Sequence, residues 1–418
     1  MITLFYKMNP FKSISVFVIA ILLITNQSFA QMSKFKNKLG KKWSYIEGTQ
    51  SAVNDTNRVY YLVANQYPNG LRVNNFNQME PYYKHDSEFI HAQIPANKVY
   101  DLNKNIEGPN FFISKTEVSN KEYNEFVIDC IQKWMQTNRK DIASKYKWNS
   151  PEYILAVEQW LSVNNDSTPI MMTDNLKPAQ NWAELQPRNL NWSKIKFKGI
   201  SIYPNTQCWN TDFPKMNNNP ISQLYFSHLA YQNFPVVGVS QKQALLYCRW
   251  LTENQSEDLT IDNTSIYFSL PNEQDWEAAA SMIAKHPSKK SSGSPVLNNY
   301  LRNASGCYIA NVLPNNNQYS SDGAIYSTTV KSYLPNDAGC YNMQGNVAEW
   351  TSTKMGFLTG EATDEGFIIK GGAWNLPEAA CTIGSRTVLK ADESTSFIGF
   401  RVAAYRMQKF RRTITPEF

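Results

Sequence analysis

Three times along this 418-residue chain, a short apolar run leads into a capping residue and then into an amphipathic helix. Phe111-Phe112-Ile113 reads as a strand, and Ser119 stands three residues before Glu122. In that arrangement each side chain can satisfy a backbone N–H of the first helical turn. Tyr123, Phe126, Val127, Cys130, Ile131 and Trp134 follow at helical spacing, which predicts one buried face. The second unit opens on Pro235-Val236-Val237-Gly238-Val239, which also reads as a strand, with Ser240 as cap, Gln243 three residues on, and Ala244, Cys248 and Leu251 facing inward. The third is Tyr267-Phe268-Ser269-Leu270-Pro271, with Asn272 as cap, Asp275, and a helix running through Trp276 to Ala280. The units are far apart. Residues 138–234 are aromatic, Asn-rich and irregular. Residues 281–410 are rich in Gly, Asn, Ser and Pro, with short strand-like runs such as Gly366-Phe367-Ile368-Ile369-Lys370. A βαβ array needs close, regular alternation, so this pattern predicts an α+β domain with long ordered loops. No repeat with a period of about 20–50 residues supports a solenoid or propeller.

The N-terminus reads as an address. Lys7 and Lys12 precede an apolar run from Ile14 to Ile24, and Ser28-Phe29-Ala30 then offers a small-x-small cleavage site. The expectation is a signal peptide over 1–30, with Gln31 first in the mature chain. The apolar run is shorter than the roughly 20 residues that span a bilayer, and no later segment approaches that length, so the mature chain is expected to lack a transmembrane segment. The first cysteine is Cys130, so no lipobox anchors a lipid. The protein is therefore expected to be exported, and periplasmic or outer-membrane-associated. Residues 31–105 form an N-terminal extension. Its first part holds Lys34, Lys36, Lys38, Lys41 and Lys42, which reads as a solvated tail or a contact for an anionic surface. A short basic tail covers 411–418.

Net charge is +6, from 41 basic and 35 acidic residues, and two of the lysines belong to the signal segment. That is too little for a strongly basic nucleic-acid binder. The six cysteines (130, 208, 248, 307, 340 and 381) all lie in the exported part, where disulfides persist, and no Cys-x-x-Cys suggests a zinc or redox motif. Cys307 and Cys340 flank one loop-rich stretch and make a candidate pair.

Six segments in order carry a family resemblance. They are Phe112-Ile113-Ser114-Lys115-Thr116-Glu117-Val118-Ser119-Asn120, Pro235 to Ser240, Leu270-Pro271-Asn272-Glu273-Gln274-Asp275-Trp276-Glu277, Tyr341-Asn342-Met343-Gln344-Gly345-Asn346-Val347-Ala348-Glu349-Trp350-Thr351-Ser352, Lys370-Gly371-Gly372-Ala373-Trp374, and Phe397-Ile398-Gly399-Phe400-Arg401-Val402-Ala403. Together they resemble the sulfatase-modifying-factor family, that of formylglycine-generating enzyme, over about 110–405. The resemblance implies a loop-rich fold related to the C-type lectin fold, placed at 106–410 with an insert at about 138–234. Inside the insert, Tyr203-Pro204-Asn205-Thr206, Trp209, Asp212-Phe213, Asn219-Pro220 and the run from Tyr225 to Tyr231 are similar to the gliding-motility and type IX secretion lipoproteins K and J of Bacteroidetes. Those proteins use the fold without known chemistry. The missing lipobox departs from their pattern.

The resemblance also tests for chemistry. The family's enzymes hold copper between two cysteines five residues apart. Aligned on Gly371-Gly372-Ala373-Trp374, Cys381 takes the second position and Leu376 the first. Leucine has no donor for a metal that favours soft thiolates, so copper and catalytic residues are not expected. An iron-binding branch would need a histidine and carboxylate set, yet His85, His91, His228 and His286 are scattered, and no Gly-x-Ser-x-Gly elbow supports a serine nucleophile. Structural calcium is implied at two places. Asn342, Gly345, Val347 and Glu349 form the first set, and Asn311, Val312, Asp322 and Ala324 the second. Both offer the hard oxygen donors that calcium takes. The alternative for the first set is a buried hydrogen-bond network without an ion.

The function expected is that of a non-catalytic periplasmic structural or interaction subunit of type IX secretion or gliding machinery. Its partners would be envelope proteins or further copies of itself. The alternatives are a formylglycine-generating-type oxidoreductase and a carbohydrate- or peptide-binding module. Of Tyr203, Trp209, Tyr225, Phe226 and Tyr231 in the insert, more than half are expected in the core, with the remainder exposed as interface anchors.

Overall fold

The computed structural model describes residues 32–46, 59–60, 110–162, 179–186, 188, 190–214, 219–255, 259–261, 264–281, 301–303, 305–314, 320–356 and 365–408. The expected signal segment and basic tail, most of the N-terminal extension, and His85, His91 and His286 lie outside these residues.

Two five-stranded sheets organise the domain. The first contains β1 (Trp43–Ile46), β3 (Phe111–Ser114), β6 (Thr260–Ile261), β7 (Thr264–Ser269) and β12 (Ala403–Gln408). Their spatial order is β1-β3-β12-β7-β6. The second contains β2 (Val59–Tyr60), β8 (Ala348–Gly356), β9 (Glu365–Lys370), β10 (Ser385–Leu389) and β11 (Ile398–Gly399), in the order β11-β8-β9-β10-β2. Most pairings are antiparallel, but β11 runs parallel to β8 and β2 parallel to β10. The last described strand, β12, sits at the centre of the first sheet, between β3 and β7. Closing that sheet therefore requires the two ends of the domain to meet. The α+β class expected from the sequence is the architecture observed.

The capping signals act where they were read. Helix α1 spans Asn120–Asn138, and Ser119 and Glu122 form a reciprocal capping box. Tyr123, Phe126, Val127, Cys130 and Ile131 are buried on one face. Met135 completes that face, while Trp134 is only half-buried and stacks on Trp160. Helix α2 spans Pro151–Ser162, helix α3 Gln241–Gln255 and helix α4 Glu273–Ser281. At the start of α3 the Gln243 side chain accepts from the Ser240 N–H at 2.8 Å. At the start of α4 Asn272 Oδ1 accepts from the Asp275 N–H at 2.8 Å.

The apolar run 235–239 is a correction. It forms no strand, only a single bridge from Pro235 to Ser119. The run instead threads between other backbones. Val236 N–H bonds to Val118 O, Gly238 N–H to Thr395 O, and Gly238 O accepts from Asn205 N–H at 2.7 Å. Gly238 has φ +70, and a Cβ there would stand 2.3 Å from Asn205 O, so glycine is what lets the strand-like run pass.

The insert is a second correction. It is not irregular throughout, since it contains α2, which buries Tyr153, Ile154, Val157 and Leu161. Its aromatic residues do not provide exposed anchors. Tyr203, Trp209, Tyr225 and Phe226 are buried, and Tyr231 packs against the same core beside Tyr225 and Phe234. The disulfide candidate also fails. All six cysteines are free thiols, with Cys307 exposed and Cys340 buried.

Candidate functional site

The loop after β9 carries the position at which a thiolate pair was tested. Cys381 is fully buried, and its Sγ lies 3.6 Å from Ala373 O and 3.7 Å from Leu376 O. Burial pushes its thiol up to about 12, with nearby Glu378 adding to the rise, so it remains protonated near neutrality. Leu376 packs beside it in a small apolar cluster with Leu301, Ala310 and Val312. Gly372 is held tightly there, since a Cβ on it would stand 2.5 Å from Cys381 Sγ. Copper, which the family resemblance implies, has one buried thiol and a hydrocarbon on offer. These residues do not fit a two-thiolate centre.

The first calcium set is drawn into a network built around Arg401. Glu349 lies on β8 and Arg401 just before β12, and both side chains are almost wholly buried. Arg401 Nε donates to Glu349 Oε2 at 2.6 Å and Nη2 to Oε1 at 2.7 Å, while Trp276 Nε1 donates to Oε2 at 2.7 Å. Arg401 also donates to Ser114 O and Tyr341 O. Both carboxylate oxygens thus already face a cation in a two-point geometry. Asn342 and Gly345 hold positive φ, 51° and 76°. Asn342 Nδ2 turns to Glu117 Oε2 at 3.2 Å, and Val347 is buried in the core. A divalent ion would have to displace a buried guanidinium, so the set does not fit a second cation.

Two further members of this network went unassigned in the sequence. Glu117 is fully buried, and Asn346 Nδ2 donates to its Oε1 at 2.8 Å. Burial pushes Glu117 up to about 8, opposed by the charge of Arg401 and assisted by that of Glu349. Asn346, at φ 59, also accepts from Thr328 N–H and joins the two calcium sets, since its N–H bonds to Asn311 O. Glu117, Asn346 and Arg401 all stand inside the motif segments. Only Arg401 carried a local signal, a lone charge within the apolar run Phe397-Ile398-Gly399-Phe400-Arg401-Val402-Ala403; Glu117 and Asn346 stand among other polar residues.

The second set comes together. Asp322 accepts from Val312 N–H at 3.0 Å and from Ala324 N–H at 3.2 Å, and Asn311 Nδ2 donates to Tyr326 O and Asn346 Oδ1. Asp322 is buried, no cationic side chain pairs with it among the described residues, and burial raises its pKa. Calcium there would take the Asp322 carboxylate, the Asn311 amide oxygen and the Val312 and Ala324 carbonyls, whereas the contacts that assemble the set run through the two backbone N–H groups. His228 lies apart from both sets. Its Nδ1 accepts from Ala230 N–H at 3.1 Å and caps a short helix.

A separate charge cluster has balanced signs. Lys370 Nζ lies 2.9 Å from Glu277 Oε1 and 3.3 Å from Glu273 Oε1, and Arg386 also pairs with Glu273. All four side chains are buried. Two acids and two bases that satisfy one another form a structural core element rather than a reactive one.

A profile of the family described as sulfatase-modifying factor enzyme 1-like domain matches residues 92–406. The formylglycine-generating enzyme of Streptomyces coelicolor is 26% identical over 190 residues, 41% of this chain and 52% of that protein. The formylglycine-generating enzyme of Thermomonospora curvata is 28% identical over 193 residues, 41% of this chain and 56% of that one. The chain thus spans about half the length of these relatives. Among solved structures, CarF aligns with a TM-score of 0.42 at 16% identity, over 87% of this chain and 98% of that chain. No described helix is long and apolar enough to cross a membrane.

Proposed function

The chain belongs to the sulfatase-modifying factor enzyme 1-like domain family, and from that premise we propose that it is a non-catalytic member, a structural or interaction subunit of the bacterial envelope. The observation that carries the reading is the pairing of Leu376 with a buried, protonated Cys381 where the family's chemistry needs two thiolates. The segments from Tyr203 to Tyr231, similar to the gliding-motility and type IX secretion lipoproteins K and J, point to that machinery as the setting. The signal-like residues 1–30 point to export and a periplasmic or outer-membrane-associated location. Kinship with the C-type lectin fold belongs to the same reading and rests on the order of the six motifs. Structural calcium, in this proposal, is confined to Asn311, Val312, Asp322 and Ala324.

The interaction arm is tested by cross-linking in the native envelope, purification of the tagged chain and mass spectrometry. Stoichiometric recovery of secretion or motility components supports the subunit reading. A chain recovered alone, at the mass of a monomer, overturns it. A second reading, formylglycine generation, is favoured by the names of the two relatives. It requires turnover from a site with a single thiol.

A further inference from the structure

The insert builds one wall of a groove of about 900 Å³ that neither Leu376 nor Cys381 lines. Strands β4 (Lys196–Phe197) and β5 (Ile200–Ser201) form a hairpin. Lys198 and Gly199, both at positive φ, turn it in the two-residue manner that suits hairpin twist. The remaining walls are the first turn of α3, with Ser240, Lys242 and Gln243, and the loop holding Asp392 and Ser394. Its volume falls within the range of small-ligand sites.

The walls are fixed to one another before any ligand arrives. Gln243 Nε2 donates to Ser201 O at 3.0 Å and Tyr203 O at 2.8 Å. Asn205 Nδ2 donates to Ser394 Oγ at 3.3 Å, and Lys242 pairs with Asp392 at 2.7 Å. Trp192 and Tyr203 stack with centroids 4.7 Å apart and planes 9° from parallel, and both line the groove. The Trp192 indole N–H makes no hydrogen bond among the described residues. A preformed groove loses little freedom on binding, which favours affinity.

The lining selects the chemistry of the occupant. Asn191, Ser193, Asn205, Thr206, Gln207 and Ser394 are neutral groups that both donate and accept. Lys242 and Asp392 neutralise each other, leaving Lys196 as the remaining charge of the lining. Apolar surface comes from Leu190, Ile200 and Pro204 beside the Trp192–Tyr203 stack, and it forms a flat strip rather than side-chain pockets. An anionic ligand would find a single counter-charge, Lys196, and a hydrophobic peptide would lack deep apolar pockets for its side chains. A neutral, polyhydroxylated chain would exchange its water hydrogen bonds for this lining. We propose that this groove, which the insert adds to the family domain, binds a neutral oligosaccharide. The inference is independent of the envelope-subunit reading, because it concerns a different surface and a soluble ligand.

The test uses the mature full-length protein with maltotetraose and with N-acetylated chitotetraose, followed by titration calorimetry and tryptophan fluorescence. One of the two tetrasaccharides should bind saturably at a single site. Thr206→Trp, which fills the groove, and Gln207→Ala should each weaken it at least about tenfold, while circular dichroism and the melting temperature stay at wild-type values. The proposal is overturned if neither sugar saturates by about 10 mM, if both variants bind as wild type does, or if a neutral Ala-Ser peptide binds in the groove and the sugars do not.

Discussion

Replacing Glu349 with Gln probes the buried network at its centre. The amide keeps the shape of the carboxylate and removes its charge. Oε2 of Glu349 receives two donors, from Arg401 Nε and Trp276 Nε1, and Oε1 receives one, from Arg401 Nη2. The amide's NH2 is therefore best placed at the Oε1 position, where it meets the Nη2 donor head-on. One charge-assisted bond is lost, and a wholly buried guanidinium is left without its full counter-charge. Breaking a buried pair by removing one partner costs about 3–5 kcal/mol. Such a loss corresponds to a fall in melting temperature of roughly 5–8 °C for a domain of about 300 residues. Urea and thermal unfolding at neutral pH, in calcium and in chelator, measure it. The same loss is expected in both buffers, because Arg401 and not a metal supplies the positive charge. A loss below about 1 kcal/mol, or one present only in calcium, would refute the reasoning.

Three other outcomes are expected. Asp275 is raised by burial to about 6 from an unfolded value near 3.8, so the stability it contributes is fully present below the lower value and is lost as pH rises through the higher. Asp275→Asn should remove a decline of up to about 1.4 kcal/mol per pH unit in that window, and unchanged pH dependence of urea midpoints would contradict this. Alkylation of the native protein should label Cys307, the exposed thiol, and spare the five buried ones, with intact-mass analysis counting the adducts. Chelation should remove stability supplied through the Asp322 set, up to about 2.7 kcal/mol at a hundredfold excess of calcium over its Kd, and so lower the melting temperature. Asp322→Asn should abolish that sensitivity, and identical wild-type melts with and without chelator would remove calcium from the account.

What was legible in the sequence was local. Ser119 with Glu122, Ser240 with Gln243 and Asn272 with Asp275 each announce a helix, because the atoms that cap it lie within one turn. Strands β7 and β9 were readable as apolar runs. Helix α2 was missed although Pro151 at its first turn and Tyr153, Ile154, Val157 and Leu161 mark it. Its inner face also buries Glu158, which pairs with Arg188, and that charge interrupts the apolar period. The run 235–239 misled for the opposite reason. It is apolar because it is threaded through the core, and its hydrogen bonds go to scattered loops rather than to one strand. The central network was illegible as a network. Arg401 and Glu349 are 52 residues apart, and Asn346 and Glu117 are 229 apart, so only the closed fold brings them together. Composition alone could not show that the insert's rings face inward, since the same Tyr and Trp content serves a core or an interface.

The central claim, that the chain does not perform its relatives' chemistry, is tested most directly by a single assay. The purified protein, supplied with copper and oxygen, is incubated with a sulfatase-type cysteine peptide, and formylglycine is quantified by mass spectrometry. Conversion at the level of the protein-free control is predicted, because Leu376 gives no donor and Cys381 is buried and protonated. Copper-dependent conversion that disappears in Cys381→Ser would contradict the account.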